Sequence, residues 1–363
     1  MFPDETLLSF KPDIVFIHTT NRNVTDWPEM TDTTEQIDEK LHTEINRFTA
    51  MWKSIAEKFH CPIIQNNFEM PLYRLLGSRD AWDIHGRTNF LTRLNEAFYA
   101  YARENESFYI HDLNFVSADY GLKEWSNPLF WNMYKYAMCF EAIPSFAFSV
   151  SHIIKSIFGK NKKALALDLD NTLWGGVVGD DGVDGIEIGQ ETGVSQSYYE
   201  FQTYVKQLKS LGIVLTVCSK NDHENAIAGL NHPEGALRPD DFVIIKANWE
   251  NKDRNIAETA AELNILPDSI VFADDNPAER EIVRTQIKGA AVPDMDGVEN
   301  YITTIDRSGF FEVTTFSEDD LKRNEMYKKN ALRAAEMASF GDYNDYLKSL
   351  EMHAVIDDFI PVY

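Results

Sequence analysis

The chain has 363 residues, of which 44% are hydrophobic and 25% charged, and its formal net charge is −24. This length predicts two folded domains and part of a third. The excess of 58 acidic over 34 basic residues would repel nucleic acid and anionic membrane surfaces, so we expect neither as a partner.

The sequence gives no sign of export or membrane insertion. Its first ten residues lack the basic start and apolar core of a signal peptide. The best candidate for a membrane span lies between Glu141 and Lys155, but this stretch contains Pro144 and is shorter than the roughly 20 apolar residues that a span needs. The cysteines are few and unclustered, as expected for reduced thiols in a cytoplasmic protein; they are Cys61, Cys139 and Cys218.

The first part of the sequence alternates strand-like and helical patterns. The strand-like runs fall at 13–18, 61–64 and 108–111, and the helical stretches at 34–59 and 128–158. This alternation predicts a separate α/β domain at residues 1–158, whose role the sequence does not indicate. His18 and Asn21 follow the first strand, where they either cap the local backbone or line a second cleft.

The second part shows short apolar runs separated by helices. The runs fall at 164–167, 213–218, 242–245 and 269–272, with 290–293 as a fifth candidate and a helix at 195–211. Such runs are typical of strands buried on both faces, so we predict a doubly wound parallel sheet in an α/β domain at residues 159–308. Residues 309–363 begin with a charged helical pattern and end in a strand-like start at 360–363, which predicts a helical segment and the start of a truncated C-terminal domain.

Polar and charged side chains follow the ends of four of these runs. They are Asp168, Asp170 and Thr172, then Ser219, then Lys252, and finally Asp274 and Asp275. The carboxyl ends of parallel strands meet at one edge of a sheet, where ligands bind. Phosphoryl transfer needs an oxygen nucleophile, a hard cation, donors that neutralise charge and an acid–base group, and this set contains each of them. The pattern therefore predicts a magnesium-dependent phosphoryl-transfer site.

These residues carry a resemblance to the haloacid dehalogenase-like (HAD-like) hydrolase superfamily, whose four motifs occur in order across residues 160–300. The resemblance implies that Asp168 is the nucleophile, which forms an aspartyl-phosphate and also binds Mg²⁺. It implies that Asp170 is the general acid–base and binds Mg²⁺ through its backbone carbonyl. Asp275 is implied as a further Mg²⁺ ligand, with the adjacent Asp274 as the alternative.

The same resemblance implies a set of phosphate-binding side chains around the nucleophile. Its members are Asn171, Thr172, Ser219 and Lys252. In this interpretation Lys252 is also catalytic, because its ammonium group neutralises charge on the phosphoryl oxygens. Lys246 is the alternative lysine for that position.

Three longer stretches carry a narrower resemblance, to FkbH-like proteins: DLDNTLWGGVVGDDG from Asp168, VCSKND from Val217 and FADDNPAERE from Phe272. This resemblance implies an enzyme that uses an acyl phosphate, 1,3-bisphosphoglycerate, to load a glyceryl group onto an acyl carrier protein. A glycine-rich flap, Gly175–Gly189, and one helix account for the sequence between Thr172 and Ser219, which leaves no room for a cap domain. The resulting open site suits a large or tethered substrate.

The sequence leaves several alternatives open. A phosphomonoesterase that acts on a phosphorylated small molecule of polysaccharide or secondary metabolism is a second enzyme function, and a non-catalytic phospho-receiver or scaffold is a third interpretation. The acidic residue at Asp170 favours turnover over a receiver. Cys218 either packs in a buried strand or relays an acyl group through its thiol. Trp174 and Trp249 either contact substrate or pack.

Overall fold

The computed structural model describes residues 5–339, which fall into two compact units, one ending at Ile154 and one beginning at Lys155. Each unit is built around its own parallel β-sheet. None of the helices within residues 5–339 is both long and apolar enough to cross a membrane. The strand-like start predicted at 360–363 lies outside the described residues.

The first unit has a parallel sheet of three strands among its described residues, with helices between the strands. The strands are β1 (Val15–Ile17), β2 (Ile63–Asn66) and β3 (Phe108–His111), in the spatial order β1-β2-β3. The helices are α1 (Glu5–Phe10), α2 (Thr34–Phe59), α3 (Arg87–Glu104), α4 (Leu113–Tyr120), α5 (Leu122–Trp125), α6 (Pro128–Tyr134) and α7 (Ile143–Ile157).

The helix α2 shows how the sequence produces this arrangement. The Thr33 side chain accepts a hydrogen bond from the backbone N–H of Gln36 and so caps the amino end of α2. The buried side chains of α2 recur at helical spacing, which gives the helix one apolar face. These side chains join α3 in one hydrophobic cluster; they are Ile37, Leu41, Phe48, Trp52 and Ile55.

The second unit has a parallel sheet of four strands among its described residues. The strands are β4 (Ala164–Leu167), β5 (Val214–Ser219), β6 (Ile244–Ala247) and β7 (Ile270–Ala273), in the spatial order β6-β5-β4-β7. The helices are α8 (Val178–Asp181), α9 (Gly193–Ser210), α10 (His223–Leu230), α11 (Lys252–Glu262), α12 (Pro277–Gln286), α13 (Tyr301–Arg307) and α14 (Glu318–Ser339).

Alternate residues of these strands belong to hydrophobic clusters on opposite faces of the sheet. Leu165 and Leu167 of β4 pack in the cluster that contains α9, whereas Ala164 and Ala166 pack in the cluster that contains α11 and α12. Because both faces are covered, nearly every position of the central strands is apolar. This arrangement confirms the doubly wound α/β fold predicted from the sequence.

Two predicted elements differ from the structure. The long helix expected at 128–158 is two helices, α6 and α7, because Lys135 ends α6 in the left-handed conformation at φ 62°. The fifth strand expected at 290–293 is a single bridge between Val271 and Ala291. Pro293 has no N–H group to donate, so the pairing cannot continue along the edge of β7.

Candidate active site

The carboxylate of Asp168 lies at the carboxyl end of β4, in the middle of the second sheet. Asp168 is 6% exposed, and its backbone N–H donates to the carbonyl of Ala273, the last residue of β7, at 3.0 Å. Lys252 begins α11 and is also buried. Its Nζ lies 3.0 Å from Asp168 Oδ1 and 2.5 Å from Asp274 Oδ2, so one ammonium joins two carboxylates from neighbouring strands.

Three carboxylates crowd together beside this ammonium. Oxygen atoms of Asp168, Asp274 and Asp275 all lie within 4.8 Å of one another. Burial, with the charge of Asp168 adding to it, raises the pKa of Asp274 to about 6 and also raises the pKa of Asp275. Burial opposes the charged form of Lys252, but the carboxylates of Asp168 and Asp274 outweigh it and raise the lysine pKa above its usual range.

The two adjacent aspartates differ in how their oxygens are used. Asp274 is fully buried, and its Oδ1 accepts from the Asn276 N–H at 2.8 Å while its Oδ2 meets Lys252. Asp275 is half-buried, and Thr172 holds it: the Thr172 hydroxyl donates to Asp275 Oδ1 at 3.3 Å and accepts from the Asp275 N–H at 3.1 Å. The Thr172 hydroxyl therefore positions an aspartate instead of pointing freely at a phosphate.

Asp170 lies two residues after Asp168, and three hydrogen-bond donors hold its carboxylate. Its Oδ1 accepts from Trp174 Nε1 at 2.9 Å and from the Val178 N–H at 3.1 Å, and its Oδ2 accepts from Asn221 Nδ2 at 2.9 Å. Burial is the main cause of a raised pKa for this carboxyl, although the hydrogen bonds oppose it. Asp170 is thus a carboxyl with a raised pKa that three donors hold in one orientation.

Asn171 shapes the turn that directly follows Asp168 and Asp170. It adopts the left-handed conformation at φ 57°, which asparagine tolerates better than most residues. Its side-chain oxygen accepts from the Gly176 N–H at 3.0 Å, and its carbonyl accepts from the hydroxyls of Tyr198 at 3.3 Å and Tyr301 at 3.1 Å. These contacts fix the loop that carries Asp168 and Asp170.

Ser219 and Cys218 occupy consecutive positions at the end of β5 and face opposite ways. The Cys218 side chain is fully buried in the apolar cluster with α11, and its Sγ donates to the carbonyl of Lys252 at 3.7 Å. Burial raises the pKa of its thiol above the usual range. This position favours the packing alternative for Cys218, because a thiol without access to solvent cannot accept an acyl group. Ser219 is buried at the opposite face.

The positions of two lysines and two tryptophans bear on the remaining alternatives from the sequence. Lys246 pairs with the half-exposed Glu258 and Glu262 at 3.1 and 2.7 Å, so Lys252 is the lysine at the carboxylate cluster. The indole of Trp174 is buried beneath the flap, whereas Trp249 is 70% exposed.

Sequence reasoning did not identify four residues that support the site. Asn221 binds Asp170, and Tyr198 and Tyr301 hold the Asn171 carbonyl. Arg280 is buried and donates to the carbonyls of Asp274 at 3.0 Å and of Asp275 at 2.7 Å. Asn221 and Arg280 lie inside the VCSKND and FADDNPAERE stretches, and this position was the sequence signal that could have identified them. The two tyrosines lie on helices distant in sequence, where no motif marks them.

The protein is similar to a solved structure described as the N-terminal part of the protein BF1531 from Bacteroides fragilis, which contains a phosphatase domain and was crystallised in complex with Mg. The two chains are 31% identical, the match covers 85% of this chain and 82% of that one, and the TM-score is 0.78. The sequence matches no protein-family model and no curated protein. With this identity over most of both lengths, the chain belongs to the family of proteins with a HAD-like phosphatase domain.

Proposed function

We propose that this protein is a Mg²⁺-dependent phosphoryl-transfer enzyme that forms an aspartyl-phosphate on Asp168 and acts on a phosphorylated small molecule. The observation that carries the proposal is the cluster of three buried or half-buried carboxylates at the carboxyl end of β4, two of which pair with the ammonium of Lys252. Clusters of like charge are costly to bury, and they persist where a ligand compensates them.

The carboxylate oxygens of this cluster suit a divalent cation that prefers oxygen ligands, such as Mg²⁺. Three ionised carboxylates carry three negative charges, and Lys252 supplies one positive charge, which leaves two negative charges for a cation to balance. Mg²⁺ prefers carboxylate and carbonyl oxygens and retains several waters. In this proposal Asp168 and Asp275 hold the ion with the Asp170 carbonyl, while Asp274 is engaged by Lys252 and Asn276. The ion would reduce the repulsion between the carboxylates and the anionic phosphate.

The side chains then divide the reaction between them. An Asp168 oxygen forms a bond to phosphorus as the bond from phosphorus to the leaving oxygen breaks. Asp170, whose pKa is raised, donates its proton to the leaving oxygen. A water molecule next returns a proton to Asp170 and attacks the same phosphorus, which releases inorganic phosphate and frees Asp168. Lys252 and Ser219 stabilise the phosphoryl oxygens, and Asn171 and Thr172 shape the loop and Asp275 around them.

Within this proposal, the open active site favours an acyl phosphate as the class of substrate. In the described chain, the flap with α8, the helix α9 and the strand β5 account for the segment between Thr172 and Ser219, and α10 with β6 for the segment between Ser219 and Lys252. Neither segment forms a cap domain over the carboxyl end of β4. An open site admits a tethered thiol, such as that of an acyl carrier protein, which supports the FkbH-like function. That thiol would attack the acyl carbon of the acyl phosphate, and a thioester would form as the bond from this carbon to the phosphate oxygen breaks and inorganic phosphate leaves. In this reaction Asp168 is not phosphorylated, and Cys218 carries no acyl group because it is buried.

The Asp170→Asn variant provides the test. Incubated with acetyl phosphate and Mg²⁺, it should accumulate a phosphoryl group on Asp168, visible by intact mass, because it lacks the base that activates the hydrolytic water. The wild type should release phosphate over many turnovers, and EDTA should stop both reactions. A wild type that takes up one phosphoryl group and releases none would instead be a receiver. No phosphoryl transfer from any phosphorylated donor, in either protein, would refute the proposal.

Donor identity requires a second experiment. The wild type should be incubated with a panel of phosphorylated three-carbon metabolites, with and without acyl carrier protein, and both proteins analysed by intact mass. A mass increase on the carrier that depends on its pantetheine thiol would support acyl loading. Release of phosphate from the panel without any carrier modification would favour the phosphomonoesterase alternative.

A further inference from the structure

A cleft in the first unit lies where the ends of its strands meet. A cavity of about 560 Å³ is bounded by the segments that follow β1 and β2 and by residues around α5 and α6. A neighbouring cavity of about 650 Å³ shares part of its lining with the first, and we describe the two adjacent cavities together as the cleft; the shared residues are Met70, Pro71, Leu72, Ser126 and Pro128. The carboxyl ends of parallel strands are where α/β folds bind ligands.

The cleft is basic, although the chain as a whole is strongly acidic. Arg22 and Arg87 line the first cavity, and Arg74 and Lys123 line the second. Glu69 is the one acidic side chain among the described residues that line either cavity. In a chain of net charge −24, such a local excess of positive charge attracts anions to this cleft rather than to the surrounding surface.

Aromatic side chains hold the two arginines of the first cavity. The guanidinium carbon of Arg22 lies 4.5 Å from the centre of the Trp131 ring, and that of Arg87 lies 4.9 Å from the Trp27 ring. Arg87 also donates to the Tyr73 hydroxyl at 2.9 Å. No carboxylate of the described residues forms a salt bridge with either guanidinium, so stacking orients both groups while their N–H edges stay available to an oxyanion.

Glu69 does not cancel this positive charge near neutral pH. It is 4% exposed, and it accepts hydrogen bonds from the backbone N–H of Asn21 and from Asn21 Nδ2, the latter at 3.1 Å. Burial raises the pKa of Glu69 to about 8, so the carboxyl is mostly neutral at pH 7. Asn21 therefore lines a cleft, whereas His18 faces Phe146 and Asn66.

We propose that this cleft binds a small molecule that carries a carboxylate or phosphate group beside an apolar or planar body. Arg22 and Arg87 receive the anionic group, and the body packs against Trp27, Met70 and Trp131. The site uses none of the residues around Asp168, and it does not depend on the phosphoryl-transfer activity proposed for the second unit.

Equilibrium binding to the full chain tests the proposal, with benzoate and phenylphosphonate as probes and neutral benzamide as a control. Titration calorimetry in EDTA should show saturable binding of at least one anionic probe and none of benzamide. Benzoate binding alone would assign a carboxylate ligand, and phenylphosphonate binding alone a phosphate ligand. Arg22→Gln and Arg87→Gln should each weaken binding by about tenfold or more, because each removes charge-assisted hydrogen bonds.

Arg103→Gln supplies the matched control, because Arg103 is exposed on the same unit and lines neither cavity. It should bind the probes as tightly as the wild type. If a glutamine variant unfolds, Arg22→Lys and Arg87→Lys replace it, and they should bind more weakly than the wild type because lysine lacks the planar fork. Absence of binding by both anionic probes, or binding that is unchanged in the arginine variants, would overturn the proposal.

Discussion

The sheets of the two units end in polar groups of different character. At the end of β2 in the first unit, buried amides are satisfied within the fold: Gln65 Oε1 accepts from Trp52 Nε1 at 3.1 Å, and Asn67 Nδ2 donates to Asp112 Oδ1 at 2.6 Å. At the end of β4 in the second unit, three carboxylates lie close together, and the ammonium of Lys252 pairs with two of them.

This difference separates a structural polar cluster from a reactive one. Buried polar groups cost free energy unless they find partners, and the amides of the first unit find them among their neighbours. The carboxylates of the second unit keep an excess of negative charge that the fold does not neutralise. A cluster whose charges do not balance within the chain therefore indicates a place where a ligand completes the balance.

The largest expected effect is a loss of activity. It is tested by making the same aspartate-to-asparagine substitution at a strand end in each unit. Asp168→Asn should lower phosphate release by about 10³-fold or more, because the amide is not a nucleophile. Asp112→Asn, at the end of β3, should stay within about twofold of the wild type, since Asp112 only caps α4 and binds Asn67. Multiple-turnover phosphate release and circular dichroism measure activity and fold. Equal activity in the two variants would break the comparison.

The next largest effect concerns stability and uses two lysines of the second unit. Lys252→Met leaves the carboxylates of Asp168 and Asp274 without their ammonium, so it should lower the free energy of unfolding in EDTA by about 3–5 kcal/mol. Lys246→Met removes contacts to the half-exposed Glu258 and Glu262 and should cost about 0–1 kcal/mol. Urea unfolding monitored by circular dichroism gives both values. Similar losses for the two variants would contradict the difference in burial on which the prediction rests.

How far the sequence predicts the fold depends on the kind of signal that each element carries. The central strand β4 agrees residue for residue with its apolar run, because a strand covered on both faces is apolar at every position. The sequence does not indicate the break between α6 and α7, because a left-handed lysine such as Lys135 has no signature comparable to a glycine or proline. The single bridge at Ala291 depends on tertiary contact with β7, which local patterns do not report.

The candidate site was predictable where its residues are close in sequence to strand ends. Asp168 and Asp274 follow β4 and β7 directly, and Lys252 begins the helix after β6, so the parallel topology brings the three together. The roles of hydroxyl groups were harder to predict, because a threonine after a strand can face a phosphate or a neighbouring aspartate. In the structure the Thr172 hydroxyl contacts Asp275. No local pattern distinguishes these orientations.

An effect that is smaller per pH unit should appear in the pH dependence of stability, and it originates in the first unit. The pKa of Glu69 is about 8 in the folded protein against 4.5 for an exposed carboxyl, so between these values the folded protein holds the proton more tightly than the unfolded chain. Stability from this group is therefore greatest below pH 4.5 and falls as pH rises to about 8, by at most about 1.4 kcal/mol per pH unit.

The Glu69→Gln variant isolates this contribution, since it keeps an acceptor for Asn21 but does not titrate. The difference in free energy of unfolding between wild type and variant, measured by urea at pH 5.5, 7 and 8.5, should shift in favour of the variant as pH rises. A difference that is constant over this range would show that the Glu69 pKa is ordinary.

The smallest expected effect concerns Cys218 and decides whether its thiol belongs to the core or to the chemistry. The side chain is fully buried among apolar residues, and its pKa is raised, so little of the reactive thiolate forms in the folded protein. Cys61 is partly exposed and serves as the reference. Iodoacetamide should label Cys61 in the native protein and Cys218 only after unfolding, as peptide mapping by mass spectrometry can show.

Cys218→Ala should cost about 1 kcal/mol of stability, through a small loss of packing, and leave phosphate release and carrier loading unchanged. Native labelling of Cys218 at the rate of Cys61, or an acyl group found on Cys218 after treatment with an acyl phosphate, would return the thiol to the reaction, because either result requires the strand end to open and expose Cys218.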